Sequence, residues 1–365
     1  MESLAVSSFD YINQVLRGRK VFVTGHTGFK GSWLTVWLHH IGCEVAGYAL
    51  PPATESSLFV QGRLDEFLAQ HHLSDVRDAA TLERAMQKFQ PEVVIHMAAQ
   101  PLVRQSYRVP RETWETNVLG TVNLLEAVRG CTSVRAVLVI TTDKCYENRE
   151  WPWGYREIDP LGGHDPYSAS KAGSELVVQS YRKSFFGPSE RVLLASARAG
   201  NVIGGGDWSA DRLIPDAARA VAAGQSLVIR SPHATRPWQH VLGCLHGYLL
   251  LAAKLLDGWV EGATAFNFGP AAADNLSVGA VLERLQIHWP ELSWQLDQAA
   301  ITAAPHEAGF LYLDSSLARG KLAWEPCWSL DVSLERTAAW YRHVLNEPKR
   351  ARSITQKQLE DYLNS

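Results

Sequence analysis

The chain has 365 residues, of which 46% are hydrophobic and 20% charged, so it has ample material for a buried core. This composition excludes a disordered, collagen-like or disulfide-scaffold protein. The formal net charge of -3 gives no basic excess, so we do not expect nucleic acid as a partner.

Short apolar runs alternate with helix-length segments over the first 200 residues. VFVTG at 21–25 predicts a buried strand, and the next segment has apolar residues at helical spacing from Trp33 to Ile41. In chain order there follow EVAGYAL, a helical stretch at 79–89, VVIHMAA, a helix around 117–128, AVLVIT and a strand from Val192. This alternation predicts an α/β fold: a Rossmann-type doubly wound parallel sheet with its ligand crevice at the carboxyl ends of the strands.

The pattern changes after Gly200. Segments 204–216 and 230–240 are rich in Gly, Pro, Trp and Arg, as loops that line a cleft would be. AFNFGP at 265–270 reads as one more strand of the main sheet, so a smaller α/β domain is expected to be interleaved with the first. We predict a Rossmann domain at 15–200 with 238–270 returning to it, a substrate-binding domain at 201–237 and 271–345, and a C-terminal helix or tail at 346–365.

The cysteines and the N-terminus predict the compartment. The five cysteines are odd in number and scattered, without metal-ligand spacing, so we expect reduced, mostly structural thiols and no metal site. The N-terminal stretch carries an early acid, and no segment approaches about 18 uninterrupted apolar residues. We therefore expect a cytoplasmic protein without membrane contact.

The loop after the first strand has three glycines in the pattern Gly-x-x-Gly-x-x-Gly. Glycine there permits a tight turn, lets backbone amides approach a pyrophosphate and brings the helix against the strand. A plain structural turn is the alternative, but the position between strand and helix favours a dinucleotide. The residues expected at the cofactor are Gly25, Thr27, Gly28, Phe29, Lys30 and Gly31.

The adenosine side of the predicted cofactor site is less clear. The second strand ends in GYAL at 47–50, which has neither the acid that marks NAD nor the arginine that marks NADP. Asp75, with Val76, is a candidate partner of the adenine amino group; the less favoured alternative is that Asp75 is only an acid at a helix N-terminus. Small residues at Ala98 and Ala99, followed by Gln100, would let the cofactor lie close to the fourth strand.

Tyr167 and Lys171 are four residues apart and share a helix face. A tyrosine of ordinary pKa about 10 is a poor base at neutral pH. A neighbouring ammonium, helped by the positive ring of an oxidised nicotinamide, would lower that pKa. Together with the glycine loop and Thr142 on the intervening strand, this pair predicts dehydrogenase-type chemistry.

These motifs together resemble the extended short-chain dehydrogenase/reductase family over nearly the whole chain. Within it, GHTGFKGSW, TTDKCYEN, DPYSASK and RPWQHV resemble the nucleotide-sugar 4,6-dehydratases. The resemblance implies NAD as cofactor, contacts to it from Asn117 and Thr141, and a homodimer. It also implies CDP-glucose as substrate and a role in deoxysugars of bacterial surface polysaccharides such as O-antigen; the residues alone do not choose cytidine over other bases.

The resemblance also implies the roles of the catalytic residues. Tyr167 takes the proton of the sugar's 4-hydroxyl while Thr142 hydrogen-bonds that oxygen, and the hydride on carbon 4 passes to NAD. An acid-base pair then removes water across carbons 5 and 6. Most relatives have Thr-Asp-Glu at this point, whereas this chain has Lys144 in the place of the glutamate. We assign Asp143 as the acid and Lys144 as the base; the alternative is that Lys144 only pairs with a nearby acid.

A nucleoside diphosphate sugar needs cations and amides around its phosphates. Asn201, Arg212 and Arg236 are the predicted substrate ligands, and Arg236 is the better phosphate clamp. His306 and Glu307 are a weaker candidate pair for the ribose.

Two other functions stay open at this stage. A nucleotide-sugar 4-epimerase shares the first half-reaction but needs no acid-base pair beside Thr142, which argues against it. A non-catalytic dinucleotide-sensing protein would keep the glycine loop, but commonly loses Tyr167 or Lys171, and both are present.

Overall fold

The structure is a computed structural model, and it describes residues 7–187, 190–297 and 310–365. Within these residues the main sheet has seven parallel strands in the order β3-β2-β1-β4-β5-β6-β10. The strands are β1 Lys20–Thr24, β2 Glu44–Ala49, β3 Gln70–Leu73, β4 Val93–His96, β5 Ala136–Thr142, β6 Leu193–Ala199 and β10 Ala265–Phe268. The predicted Rossmann-type sheet is confirmed, including the late strand at 265–268.

Helices cover both faces of this sheet. Successive residues of a strand point to opposite faces, so Val21 and Val23 pack in one apolar cluster and Phe22 in the other. The first cluster includes residues of the helices at 29–41 and 241–256, and the second includes residues of those at 79–89 and 120–130. The helices are α1 Ser8–Leu16, α2 Phe29–Ile41, α3 Leu58–Gln61, α4 Ala79–Phe89, α5 Val103–Arg108, α6 Pro110–Trp114, α7 Gly120–Gly130, α8 Pro166–Ser184, α9 Leu213–Ala222, α10 Val241–Leu256, α11 Val278–His288, α12 Ser316–Leu322, α13 Leu330–Asn346 and α14 Ala351–Leu363.

The remaining strands form two small sheets in the described part of the chain. One has the order β11-β9-β7, and the other pairs β12 with β8. These strands are β7 Asn201–Ile203, β8 Leu227–Ile229, β9 Thr235–His240, β11 Asn275–Ser277 and β12 Trp294–Leu296. The predicted boundary at 237/238 falls inside β9, and the two-domain division stays a prediction.

The C-terminal segment is a packed helix. The indole of Trp340 in α13 donates to the hydroxyl of Thr355 in α14 at 2.9 Å, and both residues are buried. Arg352 donates to the carbonyls of Gly62 and Arg63. Among the described residues, no helix combines the length and the hydropathy that crossing a membrane requires.

The topology places the site. The chain leaves β1 and β4 in opposite directions along the sheet, and ligands of such folds bind outside the carboxyl ends of strands at this switch point. Thr24 ends β1 and His96 ends β4, and the Thr24 hydroxyl accepts from the amides of Met97 and Ala98 at 3.1 Å each. This contact holds the turn after β4 against the glycine loop.

Glycine at position 31 is required by packing alone. A Cβ there would collide with the carbonyl oxygen of Gly25, whereas a Cβ at Gly320 in α12 would meet nothing within 4 Å. We expect Gly31→Ala to lower the free energy of unfolding by about 1–3 kcal/mol through overpacking. The control Gly320→Ala should raise it by about 0.5–1 kcal/mol through helix propensity. Urea denaturation measures both, and equal effects of the two substitutions would contradict this packing argument.

Candidate active site

The first and third glycines of the loop serve the fold, and the second faces open space. Gly25 has φ +77, and a Cβ on it would lie 2.7 Å from the amide nitrogen of Ala98. A Cβ on Gly28 would meet only the Gly25 carbonyl, at 3.4 Å, among the described atoms within 4 Å. Gly28 is exposed and is the N-cap of α2 without a side-chain hydrogen bond to the helix. This arrangement fits a pyrophosphate held by amides at a helix N-terminus.

The other residues of the loop point in different directions. The Thr27 hydroxyl donates to the Leu50 carbonyl at 2.9 Å, which ties the loop to the end of β2. The ring of Phe29 lies against Gly204. The ammonium of Lys30 lies 5.9 Å from the ring centre of Tyr248, and burial is the main cause that lowers its pKa. Asp143 and Arg212 are among the charged groups that act on this ammonium, so Lys30 directs its charge toward the catalytic side of the cleft.

The turn after β4 is linked to the helix that carries the tyrosine. Asn117 accepts from the amide of Gln100 at 2.8 Å and donates to the Ser170 hydroxyl at 2.8 Å. Asn117 is buried and lies in a π-helical turn, Glu115–Leu119, before α7. Such turns occur often at functional sites. Ala98 and Ala99 are half-buried beside this link, which leaves a cleft next to small side chains.

The adenosine end has no carboxylate at the end of β2. Ala49 is buried there, and Leu50 is 55% exposed. The carboxylate of Asp75 accepts from the amide of Arg77 at 2.8 Å and pairs with its guanidinium at 2.6 Å. Val76 is buried against the α7 side. A contact from Asp75 to adenine would have to share this carboxylate with Arg77, so that role stays a prediction.

Thr142 ends β5, and Asp143 begins the short 3-10 turn Asp143–Cys145. The Thr142 hydroxyl donates to Asp143 Oδ1 at 2.8 Å. Asp143 is 1% exposed, and its Oδ2 has no hydrogen-bond partner among the described residues. Burial raises the pKa of Asp143, although Lys144 and Thr142 oppose the rise. The site thus contains a buried carboxyl group that tends to keep its proton.

Tyr167 and Lys171 lie in the first two turns of α8, whose N-terminus is capped by Asp165. Burial raises the pKa of Tyr167 to about 12, and the groups that oppose this rise are Thr142 and Arg212. The ammonium of Lys171 donates to the Ile140 carbonyl at 3.3 Å. Lys171 alone therefore does not bring the phenol to its phenolate, and the expected lowering stays a prediction for the cofactor-bound enzyme.

Asp143 and Tyr167 belong to one centre. The charge of Asp143 raises the pKa of Tyr167, and the Thr142 hydroxyl is a neighbour of both. Lys144 is half-buried, and its amide donates to the Thr142 hydroxyl at 3.4 Å. The predicted catalytic residues thus converge at the carboxyl end of β5.

Two of the predicted substrate residues lie near this centre. Arg236 in β9 is 8% exposed, donates to the Thr235 carbonyl and lowers the pKa of Asp143. Arg212 pairs with the buried Asp207 at 3.1 Å and lowers the pKa of Tyr167. Asn201 begins β7 opposite Trp238 and is half-buried. His306 and Glu307 lie outside the described residues.

Sequence reasoning missed a buried network below the centre. Glu175 and Arg198 form an ion pair at 2.8 Å with both side chains nearly inaccessible. The hydroxyl of Thr141 donates to Glu175, so this predicted cofactor residue points its side chain into the network. The signal available in the sequence was the spacing: Glu175 follows Lys171 by four residues, on the same helix face.

Comparison with known proteins shows the family of the chain. The model of the family described as GDP-mannose 4,6 dehydratase matches residues 22–337. A CDP-glucose 4,6-dehydratase of Salmonella typhimurium is 49% identical over 331 residues, which are 89% of this chain and 91% of that protein. A dTDP-glucose 4,6-dehydratase of Xanthomonas campestris is 27% identical over 87% of this chain and 92% of that protein.

Solved structures show the same fold at lower identity. The epimerase Mth375 of Methanothermobacter thermautotrophicus has a TM-score of 0.78 at 21% identity, covering 94% of this chain and 97% of that chain. The dTDP-glucose 4,6-dehydratase DesIV of Streptomyces venezuelae, solved with NAD and TYD, has a TM-score of 0.73 at 24% identity, covering 90% and 99%. The fold and site define a Rossmann-type short-chain dehydrogenase/reductase. The chain belongs to the GDP-mannose 4,6 dehydratase family.

The raised pKa of Asp143 makes a prediction about stability. Since the unfolded chain releases this proton near pH 3.8 and the folded protein releases it at higher pH, the folded state is penalised above that range. We expect Asp143→Asn to raise the free energy of unfolding at pH 7.5, because the amide places no charge in the core. The gain should shrink as the pH falls toward 4.5. Urea denaturation at both pH values checks this, and a variant less stable than wild type at pH 7.5 would contradict it.

Proposed function

We propose that this protein converts CDP-glucose to CDP-4-keto-6-deoxyglucose and water with NAD as a recycled cofactor. The observation that carries the proposal is the single buried centre formed by Tyr167, Thr142 and Asp143. The family and the 49% identity to a CDP-glucose 4,6-dehydratase support the reaction and the substrate. The choice of cytidine rests on that likeness.

The cleft between the glycine loop and the turn after β4 would hold NAD. Amides near Gly28 would face the pyrophosphate, and Ala98 and Ala99 would lie beside the rest of the dinucleotide. Asn117 fixes the Gln100 side of this cleft to α8. When bound there, NAD would supply a hydride acceptor for carbon 4 and, once reduced, the hydride donor for carbon 6.

The residues of the chain move the protons. Tyr167 takes the proton of the 4-hydroxyl, and the Thr142 hydroxyl is placed to hydrogen-bond the same oxygen. A ketone at carbon 4 acidifies the proton on carbon 5. Asp143, buried and inclined to keep its proton, is suited to protonate the departing 6-hydroxyl as water. Lys144, one residue further along the same turn, is assigned as the base at carbon 5.

The cations near the cleft suit a nucleoside diphosphate. Arg236 makes one described hydrogen bond, to its neighbour's carbonyl, so its remaining donors suit a phosphate. Arg212 is shared with Asp207 and is the weaker candidate. A 4-epimerase would use the tyrosine in the same way, but would have no use for a buried carboxyl group with a raised pKa beside Thr142.

The proposal extends to assembly and location. We propose a homodimer, because Trp114, Leu119 and Leu176 are exposed apolar side chains on or next to α6 and α8, which pack together. All five cysteines, each within the described residues, are free thiols, which suits a reducing cytoplasm. The product class suits deoxysugars for bacterial surface polysaccharides such as O-antigen.

An isotope experiment tests the reaction. The purified protein is incubated with NAD and with CDP-glucose deuterated at carbon 4, and the product is examined by NMR and mass spectrometry. We expect deuterium at carbon 6 of a 4-keto-6-deoxy sugar, because the hydride is stored and returned within one turnover. Deuterium retained at carbon 4 of an epimer would indicate epimerisation, and absence of turnover would reject both enzymes. The glucose derivatives of the four other nucleotides, run in parallel, test the base.

A second experiment tests the assignment of Lys144. We expect Lys144→Ala to lower kcat by about 10²–10⁴-fold and to abolish exchange of the carbon 5 proton with solvent deuterium, because the base is lost. The control Asp143→Asn should keep that exchange while it stops the loss of water. Exchange that continues at the wild-type rate in Lys144→Ala would reject Lys144 as the base.

A further inference from the structure

Glu175 lies directly below the catalytic lysine. It follows Lys171 by one helical turn in α8, so the two side chains lie on the same face of the helix. Lys171 donates to the carbonyl of Ile140, and Glu175 accepts from the hydroxyl of Thr141. The lysine and the glutamate therefore contact consecutive residues of β5, just before its catalytic end.

The carboxylate of Glu175 is held as an anion in the core. Its side chain is 2% exposed. It accepts from the Arg198 guanidinium at 2.8 Å, from the Ser196 hydroxyl at 2.8 Å and from Thr141. These contacts, with the positive charge of Arg198 first among them, lower the pKa of Glu175 against the effect of burial. A buried charge persists only with such partners.

Arg198 connects this anion to the segment after the catalytic turn. Its guanidinium donates to the Tyr146 hydroxyl at 2.7 Å, and that hydroxyl donates to Asn267 at 2.7 Å. Tyr146 is two residues beyond Lys144. The network thus joins α8, β5, β6 and β10 around one buried ion pair.

Four described titratable groups surround Lys171. Lys30 from α2, Cys145 after β5 and Glu175 from α8 affect its pKa, and Lys171 in turn affects the pKa of His96 from β4, so that His96 faces it as well. Burial, and after it Lys30, lower the pKa of Lys171 to about 8, and Glu175 is the first group that opposes the change. His96 is held neutral by burial, and burial raises the pKa of the Cys145 thiol above the range in which it ionises. Glu175 itself faces Arg198, Arg182 and Cys145.

We propose that Glu175 is a positioning residue that keeps Lys171 in its ammonium form, with Arg198 as the counter-charge that keeps Glu175 ionised in the core. The inference rests on the proposed function, in which that ammonium assists the Tyr167 phenolate. The ion pair between Glu175 and Arg198 would then affect the reaction through the charge of Lys171, whereas a purely structural pair would only hold α8 against the sheet.

Titration of Lys171 separates these two roles. The protein is labelled with 15N-lysine, and the Nζ signal of Lys171, assigned by its loss in Lys171→Arg, is followed against pH. In Glu175→Gln we expect the midpoint to fall by about one pH unit, because a nearby opposite charge is removed. The alkaline limb of kcat/KM should move by the same amount. Glu175→Asp keeps the charge but alters the packing, so its midpoint should stay near that of wild type.

A loss of stability would not produce this pattern. Thr355→Val removes a buried hydrogen bond in α14 and should lower Tm without moving the Lys171 midpoint. If Glu175→Gln does not fold, the neutral pair Glu175→Gln with Arg198→Met removes both buried charges and is expected to fold. The double variant should still lower the Lys171 midpoint, because Glu175 lies on the same helix face as Lys171 and acts on it directly.

The outcome is independent of the substrate. A midpoint unchanged from wild type in Glu175→Gln, or in the double variant, would overturn the proposal even if CDP-glucose is turned over. If wild-type protein leaves CDP-glucose unchanged, the proposed function fails, and the titration alone still decides whether Glu175 sets the charge of Lys171.

Discussion

The structure depends on how buried charge is compensated at the carboxyl end of β5. Asp143, Lys171 and Glu175 lie within one strand end and one helix face, and all three are nearly inaccessible to water. Burial penalises each charged form, so every ion that remains there needs a partner. Glu175 has Arg198, whereas Asp143 has one oxygen without a partner among the described residues and tends to keep its proton.

In the glycine loop, two of the three glycines are required by the packing of the fold and the remaining one is explained by a ligand. Gly25 and Gly31 are glycines because the backbone of the turn after β4 and the carbonyl of Gly25 occupy the space of a side chain. Gly28 has no such neighbour at collision distance, so the folded chain does not explain its lack of a side chain. A ligand that approaches the first turn of α2 does explain it. The motif is therefore partly a packing requirement and partly a binding surface.

Much of the fold was predictable because the apolar runs are buried on both sheet faces. β5 and β10 read as strands for this reason, and α4 begins and ends where its periodicity predicts. Asp143 directly follows β5 and Tyr167 lies in the first turn of α8, and these positions in the fold bring the two residues together. The spacing places Glu175 on the helix face of Lys171, but its ion pair with Arg198 was not predictable, because only the folded topology brings an arginine of β6 beside this helix. The raised pKa of Tyr167 was missed for a similar reason: the spacing reveals a neighbouring ammonium but not the loss of water.

Burial favours the neutral form of every group at this centre, and the proposed reaction uses that in two opposite ways. For Asp143 the neutral form is the acid, which suits protonation of a leaving hydroxyl group. For Tyr167 the neutral form is the phenol, which cannot take a proton, so its ionisation must await positive charge nearby. Lys171 supplies such charge only while it keeps its own proton against burial and against Lys30. The buried carboxylate of Glu175, one helical turn further along α8, opposes the loss of that proton. This is why Glu175 affects the proposed reaction although it is buried away from the substrate.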